Sequence, residues 1–277
     1  MSLWKCPSCS NMLLLNNKVW ACDNGHSYDV AKEGYVNLLL AQHKNSKQPG
    51  DNKQMVNGRR AFLEQGFYQP LADAISTIFT QHLETLKDQT QLSFFDAGCG
   101  EGYYMDQVSQ SCQQADVHIE FSGLDISKFA VQKAAKKYPK NHFSVASTYQ
   151  LPLANHSQDA VLQIFAPSSE LEILRVLKSN GIWITVNPAA NHLFEFKQAL
   201  YDKPAEHKME NVTPQGFVQI EQLNLSFVMQ LTEPQQRENL LMMTPYYWSA
   251  TQEKKQKLVA NLEQFTTDFN IRVFQPE

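Results

Sequence analysis

No apolar run in the 277-residue chain approaches the ~20 residues that a bilayer-spanning helix needs; the longest, at 12–15 and 36–41, stop after a few residues. The first residues also lack the basic start and apolar middle of a secretory signal. Both absences argue against a membrane partner and predict a soluble, cytoplasmic protein. A disulfide framework is missing too. The cysteines number five, an odd count, and Cys6, Cys9 and Cys22 crowd into the first tenth of the chain beside His26. There is no overall basic excess: the formal net charge of −4 looks unfavourable for a nucleic-acid partner, whose binding depends on Lys and Arg displacing counterions. Internal repeats and low-complexity tracts are absent as well, which excludes a solenoid or a solvated tail.

What is present is a composition able to bury a full core, with 43% hydrophobic and 11% aromatic residues, enough for one large domain and a small appendage. Charge is unevenly spread. Residues 1–60 hold eight Lys/Arg against four Asp/Glu, a balance of +4, and the remainder holds sixteen against twenty-four, a balance of −8. A basic docking end on an acidic body fits this asymmetry, and so does an ordinary solvated surface.

Cys6-Pro-Ser-Cys9 and Cys22-Asp-Asn-Gly-His26 form C-x2-C and C-x3-H pairs twelve residues apart. A tetrahedral Zn2+ takes four soft or borderline ligands, and each short-spaced pair can present two from one tight turn. Residues 1–30 show little apolar periodicity, so a metal is the staple such a segment needs. Cys6, Cys9, Cys22 and His26 are therefore expected to hold a structural zinc with no open position for water. Loss of one ligand, as in Cys22→Ser, is expected to loosen residues 1–40 and leave the larger domain folded on its own core.

Residues 42–58 are polar, contain Pro49-Gly50 and read as a linker. Helices are expected over 54–64 and 70–86, with Pro70 suited to a first turn. From Leu92 onward short apolar strands alternate with helical stretches, the signature of a parallel sheet wrapped by helices. The expected strands are 92–97, 118–124, 141–146, 159–165, 181–187, 225–232 and 267–274; the expected helices are 103–110, 127–138, 170–178 and 234–243.

The strand ending Phe94-Phe95-Asp96-Ala97 runs into Gly98-Cys-Gly100-Glu101-Gly102, a D-x-G-x-G-x-G turn before a helix. Glycines let backbone turn sharply and approach a ligand closely. Neither the dinucleotide spacing G-x-G-x-x-G nor a P-loop lysine is present, and Asp96 and Glu101 place negative charge where a pyrophosphate would sit. A cationic, phosphate-free cofactor fits, and S-adenosylmethionine carries a sulfonium and an ammonium. Asp125 follows at the tip of the next strand, where a carboxylate can accept both ribose hydroxyls. The order of strands, glycine turn and acidic tip over 92–188 resembles the class I methyltransferases, which implies an α/β, Rossmann-like fold with an N-terminal zinc module, divided as 1–42 (zinc module), 43–90 (linker and helices) and 91–277 (methyltransferase domain). Ser147 stands where many such enzymes place an acidic residue against the adenine amino group.

Together with the zinc pairs, the segments Ala31-Lys-Glu-Gly-Tyr-Val-Asn-Leu38, Gly50-Asp51, Arg59-Arg-Ala-Phe-Leu63, Gly66-Phe-Tyr-Gln-Pro-Leu71, Gly98-Cys-Gly-Glu-Gly-Tyr-Tyr104 and Thr267-Asp-Phe-Asn270 resemble the RlmA (RrmA) family over nearly the whole chain. The resemblance implies methylation of N1 of a guanine in a hairpin of domain II of 23S ribosomal RNA, a homodimer, and a zinc module that engages RNA. One branch of that family methylates a neighbouring guanine and confers macrolide resistance. By the same resemblance Tyr68, Gly100, Glu101 and His192 contact the cofactor, beside Asp96, Gly98, Gly102 and Asp125.

Methyl transfer is an in-line displacement, so an enzyme mainly aligns nucleophile, methyl and sulfur. Guanine N1 also loses a proton, yet spacing identifies no general base: His192 and Glu170 read as loop or cofactor residues, and the catalytic residue is left unassigned. Phe165 reads as core packing and Tyr246-Tyr-Trp248 as the end of a late helix, though either aromatic group could line a base pocket. Two other classes share parts of the pattern: a methyltransferase for a small quinone- or lipid-like acceptor, and a non-catalytic RNA-binding protein. The basic zinc module argues against the first, and intact Asp96, Gly98, Gly100 and Asp125 against the second.

Overall fold

The computed structural model describes residues 3–43, 49–86, 89, 91–113, 118–201, 203–207 and 212–277. Three short antiparallel strands, β1 (Leu14–Asn16), β2 (Val19–Ala21) and β3 (Ser27–Asp29), form a ribbon in which Trp20 faces Leu15 on one side and Tyr28 on the other. The β1–β2 turn places Asn17 and Lys18 at φ 45° and 68°, the doubly left-handed backbone of tight hairpins. The chain then enters β4 (Val36–Asn37), which joins the edge of the main sheet.

The remaining strands are β5 (Gln91–Ala97), β6 (His118–Asp125), β7 (His142–Val145), β8 (Gln158–Ile164), β9 (Leu177–Pro188), β10 (Phe217–Gln230) and β11 (Gln264–Pro276). Among the described residues the sheet runs β10-β11-β9-β8-β5-β6-β7-β4, parallel from β4 to β9, with β11 antiparallel to both neighbours. Strand order reverses on either side of β5, and in open α/β sheets ligands sit beyond the carboxyl ends of the strands at such a switch point.

Helices α1 (Lys53–Leu63), α2 (Gln69–Thr85), α3 (Tyr103–Ser111), α4 (Lys128–Lys137) and α5 (Glu170–Val176) fall within a turn of their expected spans. The Asn52 side chain starts α1 by accepting from the Gln54 and Met55 amides at 2.9 and 3.1 Å. Three further helices, α6 (Phe194–Leu200), α8 (Tyr246–Ser249) and α9 (Gln252–Asn261), flank the expected α7 (Pro234–Met242).

Successive side chains of a strand point to opposite faces, and this alternation divides the core in two. Phe94, Ala160, Leu162, Ile182 and Ile184 face a helix-covered cluster, whereas Phe95, Ala97, Val161 and Trp183 face a second cluster. That second cluster also contains Leu3, Trp4, Leu13 and Trp20. The Lys5 amide donates to the Pro152 carbonyl at 2.8 Å along the same seam. The ribbon therefore shares the core on one face of the sheet, while the helix-covered cluster on the other face is drawn almost entirely from residues beyond 42. No helix of the described residues is long and apolar enough to cross a membrane.

Candidate active site and metal centre

At the metal centre, two tight turns bring four ligand atoms together. The Ser10 amide donates to the Cys6 carbonyl at 2.8 Å in the first, and the Gly25 amide to the Cys22 carbonyl at 2.9 Å in the second, where Gly25 sits at φ +81°. The ligand atoms of Cys6, Cys9, Cys22 and His26 all lie within 4.8 Å of one another. Cys9 Sγ is 3.7 Å from Cys22 Sγ, and His26 Nδ1 is 3.5 Å from Cys22 Sγ. Tetrahedral zinc with Zn–S of about 2.3 Å and Zn–N of about 2.0 Å implies ligand separations of roughly 3.5–3.8 Å, which these two distances match. Burial raises the Cys6 thiol, but the Tyr28 hydroxyl at 3.4 Å and the amides of Ser8 and Cys9 outweigh it and bring the group down to about 7. A thiol that ionises this readily suits a metal ligand.

At the carboxyl ends of β5, β6 and β8 the glycine turn takes its expected form. Gly98, Gly100 and Gly102 all have positive φ, and a Cβ on Gly98 would overlap that of Ala166. Asp125 at the end of β6 braces this turn: the Gly100 amide donates to Oδ2 at 3.0 Å, and the Ser127 amide to Oδ1 at 2.7 Å. Burial holds the Asp125 carboxyl above its ordinary range. A cleft opens here between Gly98, Asp125, Ile126, Ser147, Ala166 and Pro167.

Two further acids lie beneath the turn. Asp96 is 3% exposed, and burial, reinforced by the Asp125 carboxylate, pushes it up to about 8. Glu101 is 2% exposed, neither of its oxygens has a hydrogen-bond partner, and burial raises it to about 7 despite nearby Lys137 and Arg60. Buried carboxylates without partners cost free energy that an incoming cation offsets. The donor set therefore suits S-adenosylmethionine, whose charged groups are both positive, and disfavours a phosphate-bearing cofactor.

Residues 49–52 and α1 close over this turn. The Ser127 hydroxyl donates to the Asp51 carbonyl at 2.7 Å, and Arg59 Nη1 pairs with Asp51 at 2.5 Å. A Cβ on Gly50 would meet Ile126 Cγ2 at 2.8 Å, and φ there is +78°, so glycine is required on both counts.

Beside the cleft stands an aromatic group that sequence spacing only partly foretold. Tyr68 and His192, expected together, have ring centroids 6.5 Å apart, and Phe269 of β11 lies 5.2 Å from Tyr68 and 4.8 Å from His192. Burial lifts the Tyr68 hydroxyl well above its ordinary range. His192 is buried, and burial together with His207 lowers it to about 3. The Asp268 amide donates to its Nδ1 at 3.2 Å, so the neutral ring carries its proton on Nε2 and offers a donor rather than a base. Phe165, expected in the core, is instead 45% exposed. Glu170 is the exposed first residue of α5, and Tyr246–Ser249 form a helix of their own. Phe269, His207 and Arg59 reach the site only through tertiary folding.

A second cleft lies between ribbon and sheet, lined among others by Lys5, Ser10, Gln150 and Arg175. Its Arg175 is engaged by Glu172 at 2.8 Å and by the Leu151 and Leu153 carbonyls, so this is a braced seam.

Residues 4–47 match the model of the RlmA N-terminal zinc ribbon, and residues 88–257 match a methyltransferase domain. The chain is 30% identical over 261 residues to YxjB of Bacillus subtilis (strain 168), named for the 23S rRNA (guanine-N(1)-)-methyltransferases, covering 91% of this chain and 89% of that one. The chain belongs to the RlmA family of methyltransferases. It is also 32% identical over 197 residues to the 23S rRNA (guanine(748)-N(1))-methyltransferase of Streptomyces fradiae, covering 71% of this chain and 67% of the relative. A protein of Micromonospora griseorubida named for the 23S rRNA (guanine-N(1)-)-methyltransferases is 30% identical over 210 residues, covering 71% of this chain and 69% of its own length. Family membership agrees with the chemistry of the donor sets: a structural zinc ribbon on a domain whose buried acids suit S-adenosylmethionine.

Proposed function

We propose that the protein transfers the methyl group of S-adenosylmethionine to N1 of a guanine in a 23S ribosomal RNA hairpin. The observation that carries this reading is the joining, in one fold, of an RlmA-type zinc ribbon to a glycine turn that buries Asp96 and Glu101, the latter with no hydrogen-bond partner. The cofactor, when bound, supplies an electrophilic methyl group. In this reading Asp125 receives the ribose hydroxyls, the glycine turn admits the methionine portion, and Asp96 and Glu101 complement its positive charge. Tyr68 and His192 wall the methyl-bearing end, and His192, neutral with a proton on Nε2, orients rather than deprotonates. These residues would align guanine N1 with the methyl donor, and the N1 proton would leave to solvent or a neighbouring acceptor.

The zinc module, taken as residues 1–42, and the basic segment that follows would dock the RNA. Lys44 and Lys47 of that segment lie outside the described residues; Lys53 stands at the start of α1. A cytoplasmic homodimer is part of this proposal, and the exposed apolar side chains Val218, Ile220 and Val228 on edge strand β10 support self-association. The test is transfer of labelled methyl from S-adenosylmethionine to ribosomal RNA taken from cells lacking the gene. Labelling of the 23S species supports the reading, and label appearing only in small-molecule extracts favours a small-acceptor enzyme.

A further inference from the structure

Phe165, the residue just beyond β8, combines three properties that a core phenylalanine has no reason to combine. It is 45% exposed, immediately before Ala166 and Pro167 of the cleft lining. Its φ of +50° is a left-handed conformation disfavoured for any side chain with a Cβ. Its ring also stands 5.8 Å from both His192 and Phe269, beside the cofactor turn that Ala166, the next residue, touches through Gly98.

Strain of this kind persists only where the surroundings enforce it. Here they do. The Phe165 amide donates to the Val186 carbonyl at 3.1 Å. The Gln163 side-chain amide donates to the Ala166 carbonyl, while Gln163 Oε1 accepts from the Ser168 hydroxyl at 3.0 Å and from Trp183 Nε1–H at 3.1 Å. The Thr148 hydroxyl closes the turn on the Pro167 carbonyl at 2.6 Å. Side chains from two strands and a loop thus lock a turn whose main consequence is to hold one aromatic ring out of the core.

We infer that Phe165 is the stacking face for the target guanine once it has left its own stack, and that Gln163 is the positioning residue that holds this face in place. The inference rests on the reading of the protein as a guanine-N1 methyltransferase. An aromatic ring at this point replaces the neighbour lost when a base is extruded, and it lies on the side of the crevice walled by Tyr68 and His192.

The test compares Phe165→Ala, Phe165→Gly, Phe165→Trp and Gln163→Ala with the parent on unmodified 23S ribosomal RNA, following kcat/KM for RNA, cofactor Kd by calorimetry and thermal midpoint. Phe165→Ala should lose about 5- to 150-fold in kcat/KM for RNA, equivalent to about 1–3 kcal/mol of base stacking, with cofactor Kd within about twofold of the parent. Phe165→Gly should show the same loss with a thermal midpoint no lower than that of Phe165→Ala, because glycine tolerates the left-handed backbone. Phe165→Trp should restore most of the activity, and Gln163→Ala should add little to the loss in Phe165→Ala. Full RNA activity in Phe165→Ala, or a loss that Phe165→Trp fails to recover while cofactor binding falls in parallel, would overturn the inference and leave the proposed activity standing. A parent protein that methylates no ribosomal RNA would overturn both.

Discussion

Removing the zinc should weaken the methyltransferase sheet itself as well as the ribbon that binds the metal. Leu3, Trp4, Leu13 and Trp20 of the ribbon pack against the sheet face that carries Phe95, Val161, Trp183 and Phe274, and all eight are buried. If chelation or Cys22→Ser unravels the ribbon, its four side chains leave this shared cluster and regain water, and each buried side chain of this size is worth about 1.5–3 kcal/mol. That sums to about 6–12 kcal/mol before discounting for residual compactness of the released segment, which removes about a third. Even the discounted figure is comparable with the ~5–15 kcal/mol that holds a typical domain together. At about 2–4 °C per kcal/mol, the thermal midpoint should fall by roughly 10 °C or more. The assay is a far-ultraviolet circular dichroism melt of zinc-loaded protein, chelated protein and Cys22→Ser, with elemental analysis giving about one zinc per loaded chain. Far-ultraviolet signal at helical wavelengths reports α1 to α9, which lie outside the ribbon. An unchanged midpoint after demonstrated zinc loss would show that the sheet does not depend on the ribbon and would refute the reasoning.

Asp125→Ala should weaken S-adenosylmethionine binding by about 1.5–3 kcal/mol, the worth of hydrogen bonds to a charged group, and calorimetry giving parental affinity would reduce Asp125 to a brace for Gly100 and Ser127. Glu101 and Asp96 make the cofactor-free protein pH-sensitive in a defined direction: their folded-state values, about 7 and about 8, lie above the ordinary 4.5 and 3.8. Between those limits the folded state binds more protons than the unfolded state, so their contribution to stability is present at low pH and is lost as pH rises through the window. Denaturation of the cofactor-free protein at pH 5 and pH 8 should show this loss, cofactor affinity should strengthen over the same range, and Glu101→Gln should flatten both trends. Reversing Lys44, Lys47 and Lys53 to Glu should raise the RNA dissociation constant and reduce its salt slope while leaving cofactor binding intact; equal salt slopes for mutant and parent would make these lysines ordinary surface charges.

The parallel sheet was legible because β5, β6, β8 and β9 are buried on both faces and read as short apolar runs, and because glycines at 98, 100 and 102 mark the one turn where backbone must fold back. Where burial fades, so does the signal. The first half of β10 went unread because most of its side chains are exposed and no alternation survives. Leu258 is the one buried residue of α9, too little for a helical stripe. The ribbon strands, three residues each, owe their shape to metal ligands rather than to apolar spacing, so the cysteines announced the centre and not the strands. Phe165 was misread for a related reason: an aromatic ending an apolar strand resembles core unless its backbone angle is known. Phe269 and His207 come from segments remote from the glycine turn; Phe269 falls in a segment that carries the family resemblance, but no spacing in the sequence ties either residue to the site.

The central claim, that this site methylates guanine N1 in 23S ribosomal RNA, is tested most directly by digesting to nucleosides the 23S RNA labelled by the purified protein and separating the products. The account predicts label confined to 1-methylguanosine, with none when Asp125→Ala or zinc-stripped protein is used at limiting cofactor. Label in another methylated nucleoside, or 23S RNA that takes up no label while the protein binds S-adenosylmethionine, would contradict it.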